Sequence, residues 1–243
     1  MAVAVASVRS QKGEVLYHVI GVDQNTPQGR ERTAALARGK FPFKTTDRSL
    51  DESLAQCHQQ GNLATTTDES IYTSADVVVI DIPLDIPFRD DEPQLDMAEF
   101  KQAFRAVAKR VPAGSLILVE TTVPPGTCER VLQPILVEEL YARRLEEDAV
   151  HLAHSYERVM PGEDYLESIT HFWRVYAGAT PQAADTCEAF LSSIIDIESY
   201  PLTRLSSTTA SETAKLMENT YRAVNIAFID EWTKYAEAVS IDL

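Results

Sequence analysis

The residues best suited to chemistry stand near the end of the chain, in "SETAKLMENTYRAVNIAF", residues 211 to 228. Lys215 and Asn219 are one helical turn apart, so an ammonium and a carboxamide project side by side and can reach the same oxygen. A donor fixed in a dry site stabilises developing oxygen charge by ~2.7–4 kcal/mol. Winding the segment at about 100° per residue puts Ala214, Met217, Tyr221, Val224 and Phe228 on one side, with Leu216, Ala223 and Ala227 adjoining. Lys215, Asn219, Arg222 and Ser211 or Glu212 share the remaining wedge. Periodicity leaves two readings open: the wedge faces water, or it faces a cleft.

Further candidates lie where apolar runs end. Asp23 closes "VIGVD", where an acid ending a strand can hold adenosine ribose hydroxyls or simply cap a turn. Thr121 and Thr122 follow an apolar run in "ETTVPPGT" and stand at the sheet edge where a ligand lies, though consecutive threonines equally suit a capping turn. Glu157 and Arg158 in "HSYERVMPG" are a base candidate with a cation beside it, or a surface ion pair; a break is expected at Pro161-Gly162.

These residues need elements to hold them. The runs 14–23, 76–84 and 114–124 read as strands, with weaker strands at 151–157, 172–178 and 196–203. Helical patterns occupy 96–110, 126–147 and 181–195. Apolar strands alternating with amphipathic helices predict an α/β chain with a parallel sheet covered on both faces. From Ser207 to Ile241 there is no Gly or Pro, which predicts one long helix of the kind that joins two units or forms a dimer interface. The 243 residues carry a formal charge of −15 and are 44% hydrophobic, which suits a soluble globular protein and disfavours nucleic acid and membrane surfaces as partners. No apolar run approaches a membrane span, and the opening "MAVAVASV" lacks the basic residues that precede a signal peptide's apolar core. Three widely spaced cysteines, Cys57, Cys128 and Cys187, form neither a disulfide framework nor a zinc set, and fit a reducing cytoplasm.

In this order and spacing, "VIGVD", "DVVVIDIPL", "ETTVPPGT", "YERVMPG", "RVYAG" and "SETAKLMENTYRAVNIAFIDE" resemble the UDP-glucose/GDP-mannose dehydrogenase family over nearly the whole chain. The resemblance implies a Rossmann-like, doubly wound, mostly parallel sheet, a central dimerisation helix, and NAD-dependent oxidation of the C6 hydroxyl of a nucleotide sugar to the uronic acid. It implies that Thr122 positions water or cofactor, that Glu157 acts as base, and that Lys215 and Asn219 bind the substrate oxygen, with Arg158 beside them. Asp23 would hold the ribose, and Ile82, Pro83, Thr121 and Thr122 would line the cofactor cleft. Residues 1–205 would form the NAD-binding unit and 206–243 the start of the helical segment, which would carry a homodimer.

Two elements of that family are missing from these residues. No G-x-G-x-x-G precedes Asp23, so the family's first strand is expected to be lacking. No Gly-Gly-x-Cys-x-Pro segment is present either, so the family's nucleophilic cysteine and second nucleotide domain are expected to lie outside this piece. The three cysteines present lie in helix-like contexts and are expected to be plain core or surface thiols. Two alternatives are a non-catalytic dimerisation module and a 6-phosphogluconate or hydroxyacid type of Rossmann dehydrogenase.

Overall fold

A computed structural model describes residues 1–10, 12–84, 87–89, 92–159 and 162–242. In chain order the elements are α1 (Ala2–Ser7), β1 (Val19–Val22), α2 (Pro27–Leu36), α3 (Arg48–Gln60), β2 (Leu63–Thr66) and β3 (Val77–Ile80). A short ribbon of β4 (Phe88–Arg89) and β5 (Glu92–Pro93) comes next. Then follow α4 (Ala98–Ala108), β6 (Leu116–Val119), α5 (Gln133–Ala142), β7 (His151–His154), α6 (Glu167–Thr170), β8 (Val175–Gly178), α7 (Pro181–Ser192), β9 (Thr203–Arg204) and α8 (Thr208–Ala238).

The main sheet has five strands in the order β3-β6-β7-β8-β9. Successive strand residues point to opposite faces, so β6 divides its side chains between two cores. Ile117 and Val119 pack with Phe104 of α4 and Leu136 of α5, while Leu116 and Leu118 pack with Val5 of α1 and Leu191 of α7. All four are buried, which is why "LILV" contains no polar residue. α7 lies tight against β8: a Cβ added to Gly178 would stand 2.1 Å from the Ala184 nitrogen.

β1 and β2 pair parallel as a separate two-stranded ladder. Val19 of β1 and Val77 of β3 both pack on the cluster that holds Val5, so the two ladders share an apolar layer.

The sheet is mostly parallel, as expected. β7 and β8 are antiparallel, while the other pairs in both ladders of this sheet are parallel. The strand expected over 196–203 shrinks to β9, and the helix expected over 126–147 opens as a π turn, Cys128–Leu132, before α5 begins. α2 and β2 were not expected; α3, which holds Cys57 in the helix-like context expected for it, is capped by Asp47, whose carboxylate accepts from the Ser49 and Leu50 amides, and ends on left-handed Gly61 at φ 69°.

Candidate active site

Parallel strands bring their carboxyl ends to one edge, and the tips of β3, β6 and β7 meet there. Thr121, just past β6, locks two of them together: its hydroxyl accepts from the Ile82 amide at 2.9 Å and donates to the Ile82 carbonyl at 2.9 Å. A cleft of about 300 Å³ opens over these tips, lined by Ile82, Pro83, Thr121, Thr122 and Glu157 together with Asp81 and Glu120. Thr122 and Glu157 are half-buried. Glu120 forms a buried ion pair with Arg174 at 2.6 Å. Its second carboxylate oxygen and the Arg174 Nη2 have no hydrogen-bond partner among the described residues. Burial pushes the Glu120 carboxyl up, and the Arg174 charge opposes that.

The first turns of α8 close the site from one side. The Ser207 hydroxyl caps the helix by accepting from the Ala210 amide. Ser211 Oγ lies 2.8 Å from His154 Nδ1. Lys215 Nζ donates to the Glu157 carbonyl at 3.1 Å and sits 5.0 Å from the Tyr156 ring centre. Glu218 accepts from Arg158 Nε and Nη2 at 2.9 and 2.6 Å, and the Arg158 guanidinium stacks over Phe172. Burial lowers the His154 pKa from 6.5 to about 4, against the opposing backbone of Thr121 and with a further lowering from Lys215.

The structure therefore brings together Ile82, Pro83, Thr121, Thr122 and Glu157, and sets Lys215 against the main chain of Glu157. Arg158 is turned to Glu218 and Phe172. Asn219 is exposed, one turn beyond Lys215. Of the two, Lys215 reaches the strand tips, and Asn219 stands one turn further out along α8. Asp23 lies at the tip of β1, where Arg32 grips both carboxylate oxygens at 2.6 and 2.7 Å. The Arg32 hydrogen bonds hold the Asp23 carboxyl below its usual range. The break expected at Pro161 falls outside the described residues.

Several residues of the site were not singled out in the sequence: Arg32, Glu120, His154 and Arg174. A charge directly after four apolar strand residues was the signal for Glu120. Glu212 was placed only on the polar wedge of α8, with no partner assigned.

A model of the UDP-glucose/GDP-mannose dehydrogenase family, NAD binding domain, matches residues 5–195, and one of that family's central domain matches residues 209–243. The UDP-N-acetyl-D-mannosamine dehydrogenase of Methanocaldococcus jannaschii is 30% identical over 227 residues, covering 93% of this chain and 48% of that protein. A solved UDP-N-acetyl-D-mannosamine dehydrogenase from Pyrococcus horikoshii superposes with a TM-score of 0.81 at 27% identity over 99% of this chain and 51% of its own. The NDP-N-acetyl-D-galactosaminuronic acid dehydrogenase of Methanosarcina mazei Go1 superposes with a TM-score of 0.78 at 29% identity, over 98% and 47%. The chain spans about half the length of the curated relatives it matches. The edge fits NAD, with a carboxylate at the tip of β1 and a hydroxyl-lined cleft over β3 and β6 whose floor holds an unpartnered buried carboxylate oxygen. Strand tips, cofactor edge and the helix that closes them all fall within the two matched segments: the chain belongs to the UDP-glucose/GDP-mannose dehydrogenase family, with its NAD-binding domain in residues 5–195.

Proposed function

We propose that this chain supplies the cofactor half of an enzyme that oxidises the C6 hydroxyl of a nucleotide sugar to the uronic acid. NAD, when bound, accepts the hydride. The observation that carries this reading is the meeting of Thr122, Glu157 and Lys215 at the strand tips, within reach of one small cleft. Lys215 Nζ, already turned toward the β7 tip, donates to the substrate oxygen as charge develops on it. Glu157 takes a proton from water in the hydrolytic step, and Thr122 orients the reacting groups at the cofactor edge. Asn219 joins as a second donor once substrate fills the mouth of the cleft. Arg158 meets the sugar from the outer rim, and Asp23 holds the ribose, sharing its carboxylate with Arg32.

Residues 1–205 then form the cofactor unit and 206–243 the start of the dimerisation segment. These residues contain no Gly-Gly-x-Cys-x-Pro segment, so steady turnover is expected from a polypeptide that carries that segment as well, and not from this one alone. The relatives act on UDP- and NDP-linked N-acetylated sugars by their names, which makes these the first substrates to try. In such a polypeptide, Lys215→Ala is expected to lower kcat about 100- to 1,000-fold, the loss of one oxyanion donor. Unchanged kcat in that variant, measured by NADH formation, would remove the lysine from the chemistry. Sustained NADH formation by the 243 residues alone would show that the missing cysteine segment is not required.

The far part of α8 favours an association role beside the catalytic one. Among the described residues no helix is long and apolar enough to cross a membrane, yet α8 exposes Tyr221, Val224, Phe228 and Trp232. A second copy of the chain pairing through this helix would cover them.

A further inference from the structure

Glu212 is fully buried at the start of α8. Its carboxylate accepts from the Gly126 amide at 2.5 Å and from the Cys128 amide at 2.7 Å, across 86 and 84 residues of sequence. Those amides belong to the turn that leaves Thr122, reverses at Gly126 with φ 89°, and enters the π turn at Cys128. The first amides of a helix have no partner inside it, and a carboxylate there is favoured by the helix dipole. A local residue ordinarily provides that acceptor. Thr127 is of the right type and in the right place, but its hydroxyl donates to the Pro124 carbonyl and caps nothing. The capping acceptor comes instead from α8.

The neighbours of Glu212 along α8 give that contact its consequence. Ser211 meets His154 at the tip of β7, and Lys215, one turn on, meets the Glu157 carbonyl. One short stretch of helix thus grips the β6 exit through Glu212 and the β7 exit through its two neighbours. We propose that Glu212 is a positioning residue: by holding the Gly126–Cys128 turn it sets where Thr122 stands relative to Lys215. This rests on the reading of Thr122 and Lys215 as site residues.

The test is amide NMR of the whole chain, wild type and Glu212→Gln, with and without NADH. Gln keeps the volume but offers one acceptor where two amides need one each. In the variant, exchange of the Gly126 and Cys128 amides with solvent is expected to rise about tenfold or more, and the NADH-induced shift of the Thr122 amide to fall by at least half. A merely structural cap would leave that NADH response intact, so a full response in the variant overturns the inference alone. Wild-type amides at 121–123 that ignore NADH overturn the cofactor reading and the inference with it. Should Glu212→Gln not fold, Glu212→Asp keeps the charge and loses only one methylene of reach; the same two changes are expected, and their absence is equally fatal.

Discussion

The two parts of α8 have opposite surroundings, and they differ in composition too: Thr208–Glu218 carries no aromatic residue, whereas the part from Asn219 to Ala238 carries Tyr221, Phe228, Trp232 and Tyr235. From Thr208 to Glu218 the polar wedge faces the protein: Thr208, Ser211 and Glu212 are buried, while Lys215 and Glu218 are half-buried and paired. From Asn219 onward every residue of the helix except Ala236 is exposed, and the side chains facing solvent include Ile226, Phe228, Ile229 and Trp232. Amphipathic spacing identifies two faces of a helix without saying which one is inside. At the near end, hydrogen bonds to strand tips decide the matter. At the far end none of the described residues covers the apolar side, so its packing depends on what lies against it.

The sharpest way to break the comparison is to remove the buried acid. Glu212→Ala leaves the Gly126 and Cys128 amides buried without an acceptor, and each such orphan costs about 1–3 kcal/mol. A loss of about 2–6 kcal/mol in the denaturant-derived stability is expected. A loss below about 1 kcal/mol would mean that water or Thr127 replaces the carboxylate and that the near end is not held by it.

A smaller and reversible probe is acid. The His154 ring titrates near 6.5 when unfolded and at about 4 when folded, because burial beside Ser211 disfavours the cation. Between those values the unfolded chain carries a proton that the native chain refuses. Stability fully present above pH 6.5 is therefore lost as the pH falls toward 4, by about 3 kcal/mol from this group. Urea titrations at several pH values read this slope directly. His154→Gln, which retains a partner for Ser211, is expected to flatten the profile over that window, whereas an unchanged slope would assign it to the carboxylates.

Much of this arrangement was legible before any coordinates. The all-apolar "LILV" and "VVVI" announced parallel strands, and the residues following them, Thr121, Thr122, Ile82 and Pro83, line one cleft because strand tips converge by geometry. α2 and β2 escaped notice, and α3 showed only as a helix-like context around Cys57, for a physical reason as well. The apolar positions of α3 are sparse, with Leu50, Leu54 and Cys57 buried among polar neighbours, and β2 is four residues with a single leucine. The direction of β8 leaves no trace in "VYAG", since antiparallel and parallel buried strands have the same composition. The Glu120–Arg174 and Glu212–Gly126 contacts join residues far apart in sequence, and side-chain type alone does not pair them. The spacing of Asn219 from Lys215 fixes its angle around α8 and not how far the helix has travelled from the sheet.

The mildest perturbation probes the far end of α8. Trp232 packs edge-on against Phe228 at 6.1 Å and Tyr235 at 5.6 Å, all three on the exposed helix. Contacts of this kind between neighbours on an isolated helix are worth about 0.2–0.5 kcal/mol, so Trp232→Ala is expected to change the stability of the single chain by less than about 0.5 kcal/mol. The same substitution removes one of the largest apolar side chains from the face that a second copy would cover. Sedimentation over a range of concentrations should then show wild-type association weakened in Trp232→Ala while the denaturation midpoint of the dilute chain stays in place. If the midpoint falls as far as it does for Glu212→Ala, the far end is packed within its own chain, and the contrast between the two parts of the helix does not hold.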